Sequence, residues 1–202
     1  MLDRVAIAAL KPLLDAGARG LVRVGAGADA VTLAGFVVGL AAAAAIVFGA
    51  TGWGLALLLA SRLADGLDGA IARLTHPTDR GAFLDITLDF LFYASIPLAF
   101  AVADPDANAL PATVLLAAFI GTGSSFLAFA VMAERRGMAS AAYPDKGLYY
   151  LGGLAEASET LICFALMCVW PERFAWWAYG FAVLCGVTTV ARITGGARAL
   201  AR

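Results

Sequence analysis

The sequence predicts an all-α integral membrane protein. Three observations carry that reading: high hydropathy, long uncharged runs, and charges gathered at the ends of those runs. Of 202 residues, 62% are hydrophobic and only 14% charged, with a mean hydropathy of +0.86. Soluble domains carry roughly 25% charged residues. A net charge of −1 excludes the basic field that nucleic acid requires, so the expected surroundings are a lipid bilayer. Cys163, Cys168 and Cys185 lie in apolar stretches without metal-ligand spacing and read as small buried hydrophobes.

Residues 1–27 are expected to form an amphipathic juxtamembrane helix, and 28–202 a domain of six transmembrane helices. In the first segment Lys11, Asp15, Arg19 and Arg23 recur at four-residue steps, while Leu10, Leu13, Leu14, Leu21 and Val22 fall mostly on other faces. Such a helix lies in the interface, with Pro12 near its start or at a kink, and Gly25–Asp29 ends it. The opening MLDRVAIAALKPLLD, with its early acid and short apolar run, does not read as a signal peptide.

Val31–Ser61 contains no charge and exceeds the roughly 20 residues of one span. It predicts helices over 30–50 and 53–75, divided at Thr51-Gly52-Trp53-Gly54. The second is lipid-like from Leu55 to Ala60 and then carries Arg62, Asp65, Asp68 and Arg73. Leu74–Arg80, with His76-Pro77, reads as a loop. A third helix over 81–103 stops at Asp104-Pro105-Asp106. A fourth over 108–133 closes at Glu134-Arg135-Arg136-Gly137. A fifth over 145–170 carries Glu156 and Glu159 on one face. Pro171-Glu172-Arg173 turns the chain into a sixth over 174–196, with Trp170, Trp176 and Trp177 as an interfacial belt.

Six spans put both termini on one side, together with 13 of the 14 basic residues; Arg173 alone falls opposite. Positive residues mark the cytoplasmic side. The expected location is therefore the inner or plasma membrane, with the termini and any site built on Asp65, Asp68, Asp85 and Asp89 facing the cytoplasm.

Those four aspartates carry the chemistry. Carboxylates at membrane depth are costly unless a cavity, partner or cation receives them. Asp65 and Asp68 share one helix face, as do Asp85 and Asp89. Two such helices converge four like charges that need cations between them. All-oxygen donors favour hard cations, Mg²⁺ or Mn²⁺. Gly69, Ala72 and Gly81 leave room for a ligand at the backbone, and Arg73 offers a fork of donors for phosphate.

In full, the segment is Asp65-x-x-Asp68-Gly69-x-x-Ala72-Arg73, seven residues, then Gly81-x-x-x-Asp85-x-x-x-Asp89. This resembles the signature of the CDP-alcohol phosphotransferase (CDP-alcohol phosphatidyltransferase) family, with every signature position filled. Ala30-Val31-Thr32-Leu33-x-Gly35 also resembles the opening of that family's first span, with Thr32 near the nucleotide. The resemblance implies a membrane phospholipid synthase with two divalent cations, commonly a homodimer. It implies metal ligation by Asp65, Asp68, Asp85 and Asp89, and CDP binding by Asp65, Asp68, Gly69, Ala72, Arg73, Gly81 and Thr32. Asp89 takes the general-base role toward the acceptor alcohol. The donor is a CDP-linked lipid such as CDP-diacylglycerol, the acceptor a small alcohol, and the by-product CMP.

Other readings remain open beside it. Arg62 with Asp65, or Asp68 with Arg73, is also a simple ion pair, and for Arg62 a structural role is the plainer one. Thr32 is equally a helix cap. Lys146, Glu156, Glu159, Arg192 and Arg135 mark a possible acceptor pocket. Glu–Arg192 or Glu–Lys146 pairing, topology signalling and snorkelling explain them as well. Two alternatives concern function: transfer from a soluble CDP-alcohol to diacylglycerol, and a small divalent-cation carrier, which needs polar residues continuing to the far side. A catalytically idle family member is a third.

Overall fold

Helices follow the apolar runs, and their ends follow local capping chemistry. The structure is a computed structural model describing residues 2–137 and 154–201. Its helices are α1 (Leu2–Arg23), α2 (Ala28–Val47), α3 (Thr51–Leu74), α4 (Asp79–Ala103), α5 (Pro105–Arg135), α6 (Ala157–Val169) and α7 (Phe174–Leu200). A single 3₁₀ turn, Pro171–Arg173, joins α6 to α7. Among the described residues there is no strand.

The protein is all-α and membrane-integral. Of the helices read as spans, α2, α4, α5 and the stretch Pro171–Leu200 are long and apolar enough to cross a bilayer. α3 has the length but carries the motif's charges, and the described α6 is a shorter apolar helix.

Several expected boundaries shift, each for a visible reason. The α2–α3 turn lies at Phe48–Ala50 rather than at Thr51–Gly54. Gly49 takes φ +76°, which lets the Ala50 and Gly49 amides close onto Ala45 and Ile46. α4 starts at Asp79, because Thr78 caps it by accepting from the Gly81 amide at 3.0 Å. α5 starts at Pro105, because Asp104 caps it by accepting from Ala107 at 3.1 Å and proline suits the first helical position. Pro12 lies well inside α1. α6 starts at Ala157, so Glu156 precedes the helix in an extended conformation. The expected face shared by Glu156 and Glu159 within one helix is therefore corrected. The Thr188 hydroxyl accepts from the Leu154 and Ala155 amides at 3.1 and 2.9 Å, holding that entry segment against α7. The expected start at 145 lies outside the described residues.

α2 lies along α3 through small residues. A Cβ on Gly35 would come within 2.9 Å of the Ala64 methyl, and the Ser61 hydroxyl donates to the Gly35 carbonyl at 2.8 Å. α4 covers the opposite side of α2, and α5 pairs with α7. The main core gathers Ile46, Leu58, Phe92, Ile96, Phe100, Leu115, Phe164, Met167 and Phe174. Phe100 stacks on Phe174 at 4.7 Å, and Tyr93 meets Phe164 at 6.2 Å. α4 and α6 thus run side by side in the same direction. One turn back along each, the start of α6 stands at the level of Asp89. α1 packs through Leu14, Ala18, Leu21 and Val22 against Ala70 and Ile71 of α3, with Lys11, Arg19 and Arg23 exposed.

Candidate active site

α3 and α4 are joined by only four residues, Thr75–Thr78, so the two halves of the aspartate motif face each other as an antiparallel hairpin. Asp65, Asp68 and Asp85 each offer a carboxylate oxygen within 4.8 Å of the others. Asp68 is buried, and its Oδ2 has no hydrogen-bond partner. A buried, unsatisfied carboxylate oxygen is expensive. One beside two further carboxylates has the donor chemistry of a hard-cation site. The residues present therefore fit a divalent cation.

Asp89 stands one turn beyond Asp85 and engages a different partner. Arg62 donates from Nη1 to Asp89 Oδ1 at 2.5 Å, and the same nitrogen lies 3.5 Å from Asp65 Oδ1. Nη2 donates to the Ser61 hydroxyl at 3.3 Å, and the guanidinium lies flat over Phe92, 3.9 Å from the ring centre. Arg62, read from sequence mainly as structural, is part of this constellation. The (i, i+3) spacing to Asp65 was visible in sequence, but Asp89, 27 positions away, was not.

A polar opening of about 220 Å³ lies between α2, α3 and α4, bordered by Asp65, Asp85, Asp89, Arg62, Ser61 and Thr32 among others. Thr32 donates to the Ala28 carbonyl at 3.0 Å and lies beside Asp68. The remaining signature residues sit at the edge. Arg73 is exposed and folds back over Gly69, its Nη1 3.4 Å from where a Cβ would stand. Gly81 is flanked by Thr78 Oγ1 and Asp29 Oδ1, each just over 3 Å from such a Cβ. Ala72 is half-buried. Asp29, which sequence reading passed over, also pairs with Arg80 at 3.4 Å. It ties the start of α2 to the start of α4.

The acceptor-pocket candidates are scattered. Arg135 is exposed at the end of α5. Arg192 is buried in α7 and donates to the Thr122 carbonyl at 3.1 Å. Glu156 is buried, and Glu159 Oε2 is buried without a hydrogen-bond partner. Lys146 lies outside the described residues. Beyond Tyr93, towards the far side, the described core between the helices is apolar: Leu58, Ile96, Phe100 and Phe164. A carrier's polar path finds no lining there.

Comparisons with known proteins agree with this geometry. The CDP-alcohol phosphatidyltransferase family matches residues 26–191. The chain is 50% identical over 199 residues to inner membrane protein YnjF of Escherichia coli (strain K12), covering 97% of this chain and 95% of that protein. It is 50% identical over 70 residues to archaetidylinositol phosphate synthase of Methanothermobacter thermautotrophicus, covering 34% of this chain and 36% of the relative. Among solved structures it resembles phosphatidylinositol phosphate synthase (PgsA1) of Mycobacterium tuberculosis with CDP-DAG bound. The TM-score there is 0.68 at 25% identity, over 92% of this chain and 94% of that one. The same enzyme in complex with manganese and citrate gives a TM-score of 0.67 at 25% identity, over 91% and 88% of the two chains. With its motif complete and the match running through nearly all of its spans, the chain belongs to the CDP-alcohol phosphatidyltransferase family and is a membrane transferase of phospholipid synthesis.

Proposed function

We propose that the chain moves a phosphatidyl group from CDP-diacylglycerol to a small hydroxyl acceptor and releases CMP. The observation that carries this is the three-aspartate group of Asp65, Asp68 and Asp85, with Asp89 one turn away at the same opening. The PgsA1 structures, with CDP-DAG in one and manganese in another, support the choice of donor and of a divalent cation.

In this reading Asp65, Asp68 and Asp85 hold Mg²⁺ or Mn²⁺, and Asp89 helps hold a second ion. Bound cations neutralise the pyrophosphate and the departing CMP. Arg73 donates to a phosphate oxygen. Gly69, Ala72 and Gly81 leave the nucleotide room at the backbone, and Thr32 keeps Asp68 company at the inner edge. Asp89 takes the proton from the acceptor hydroxyl. The acceptor oxygen then bonds to the β-phosphorus, and the bond from that phosphorus to the CMP oxygen breaks. The opening is smaller than the roughly 300–1,000 Å³ of a pocket that encloses a whole ligand. It suits the phosphate end of a lipid whose acyl chains stay in the bilayer.

The acceptor enters beside the start of α6, where Glu156, Glu159 and Arg192 are buried, with Lys146 and Arg135 at the approach. Residues 1–27 form the juxtamembrane unit and 28–202 the six-span catalytic unit. The site and both termini face the cytoplasm of an inner membrane, and two copies associate as a homodimer.

Purified protein in liposomes, given CDP-diacylglycerol, Mg²⁺ or Mn²⁺ and a panel of acceptors, tests this. The acceptors are inositol phosphate, glycerol phosphate, serine and simple alcohols. CMP release with one acceptor, and a matching lipid product by mass spectrometry, is the expected result. A parallel arm with soluble CDP-alcohols and diacylglycerol reverses the donor assignment if it alone reacts. Silence in every arm leaves an idle family member.

A further inference from the structure

Arg62 is held more tightly than interfacial snorkelling requires. Its guanidinium bridges Asp89 of α4 and Asp65 of its own helix. It also stacks on Phe92 at 3.9 Å and takes the Ser61 oxygen at 3.3 Å. That oxygen is itself fixed by its bond to the Gly35 carbonyl. Three helices thus converge on one side chain. The place Arg62 fills, between Asp65 and Asp89, is where a second cation beside the three-aspartate group would sit, since paired metal ions stand roughly 3.5–4 Å apart. A guanidinium and a dication cannot share one carboxylate oxygen without strong like-charge repulsion. The hold is also incomplete: Nε of Arg62 is buried with no hydrogen-bond partner. The side chain therefore gains a donor contact when a phosphate oxygen reaches it, and loses little by leaving Asp89.

We propose that Arg62 is a releasable counter-ion of Asp89, a positioning residue that keeps the second cation out until the phosphate donor arrives. This rests on the reading of Asp65, Asp68 and Asp85 as the ligands of the first cation. While Arg62 is engaged, Asp89 is blocked both as ligand and as proton acceptor, so the base is withheld until donor is present. The bulk and stacking of Arg62 are distinct from its charge, and Arg62→Gln separates the two.

The test is Mn²⁺ titration of the detergent-solubilised full chain without nucleotide, following the free-ion signal by electron paramagnetic resonance. The wild type should take up one tight ion per chain. Arg62→Gln should take up two, the second binding about tenfold or more tightly than in the wild type, with a spin-coupled pair signal. Arg62→Lys, which keeps the charge, should behave as the wild type. Thermal melting in the same detergent confirms that each variant is folded, and Ser61→Ala, which loosens Arg62 without removing it, gives a second variant expected to lie between the two forms. Two equally tight ions in wild type and Arg62→Gln overturn the counter-ion role and leave the three-aspartate metal site standing. No tight ion in either form overturns the metal reading and this proposal together.

Discussion

At the scale of single residues, the four aspartates are not equivalent. Asp65, Asp68 and Asp85 form one oxygen cluster, while Asp89 is bonded to Arg62. Replacing Asp89 by Asn keeps the size of the side chain but removes its basicity. Transfer should fall by about 10²- to 10⁴-fold, the usual contribution of a general base. CDP-diacylglycerol binding, measured by calorimetry, should stay within a few-fold of wild type; retained turnover would reassign the base. Asp68→Asn acts at the buried, unpartnered oxygen. It should weaken the first Mn²⁺ by tenfold or so without unfolding the chain, read from the same free-ion signal. The identity of these acids was legible in sequence because their spacing is a helical period and their cost in a membrane demands an explanation. The partner of Asp89 was not legible. Arg62 reaches it across a helix pair, and no local period encodes a contact 27 positions apart.

At the scale of elements, the site depends on how closely α2 approaches α3 and α4. A Cβ on Gly39 would fall 2.6 Å from Phe92 Cδ2 and 2.9 Å from Ser61 Oγ, the two groups that hold Arg62. Gly39→Val should therefore cost about 1–3 kcal/mol through overpacking. That lowers the melting temperature in detergent by several degrees and reduces transfer together with it. An unchanged melting curve would mean that α2 is free to shift. The sequence located every long helix through its apolar run and missed the ends by a few residues. The missed ends are caps: Thr78, Asp104 and the left-handed Gly49 decide them by single hydrogen bonds that hydropathy does not register. The start of α6 was misread for another reason. Glu156 belongs to an entry segment bound by Thr188 of α7, a tertiary contact rather than a local preference.

At the scale of the whole molecule, polarity is divided between two ends. The aspartate opening, the entry to α6 and the exposed basic residues of α1 gather at one end; Phe174 and the aromatic core fill the other. An orientation with the polar end in the cytoplasm has a direct test. Arg136→Cys and Glu172→Cys lie at opposite ends of the bundle, and the native Cys163, Cys168 and Cys185 are buried. A membrane-impermeant maleimide added to intact spheroplasts should label position 172 and reach position 136 only after permeabilisation. The reverse pattern inverts the topology. Composition and charge asymmetry made this division readable from the sequence. Which acceptor enters beside α6 was not readable, because that surface is assembled from α3, α6 and α7 rather than from one segment.

The four-residue link between α3 and α4 bears on how the protein is made. All four aspartates and Arg62 lie on one hairpin, which leaves the ribosome before α5, α6 and α7 have been synthesised. At a translation rate of roughly 5–20 residues per second, the hairpin waits several seconds for α7. A cluster of acids entering a bilayer alone during that interval would resist insertion. Arg62 travels in the same segment, so the nascent hairpin brings its own compensating charge and needs neither metal nor the later helices to be accommodated.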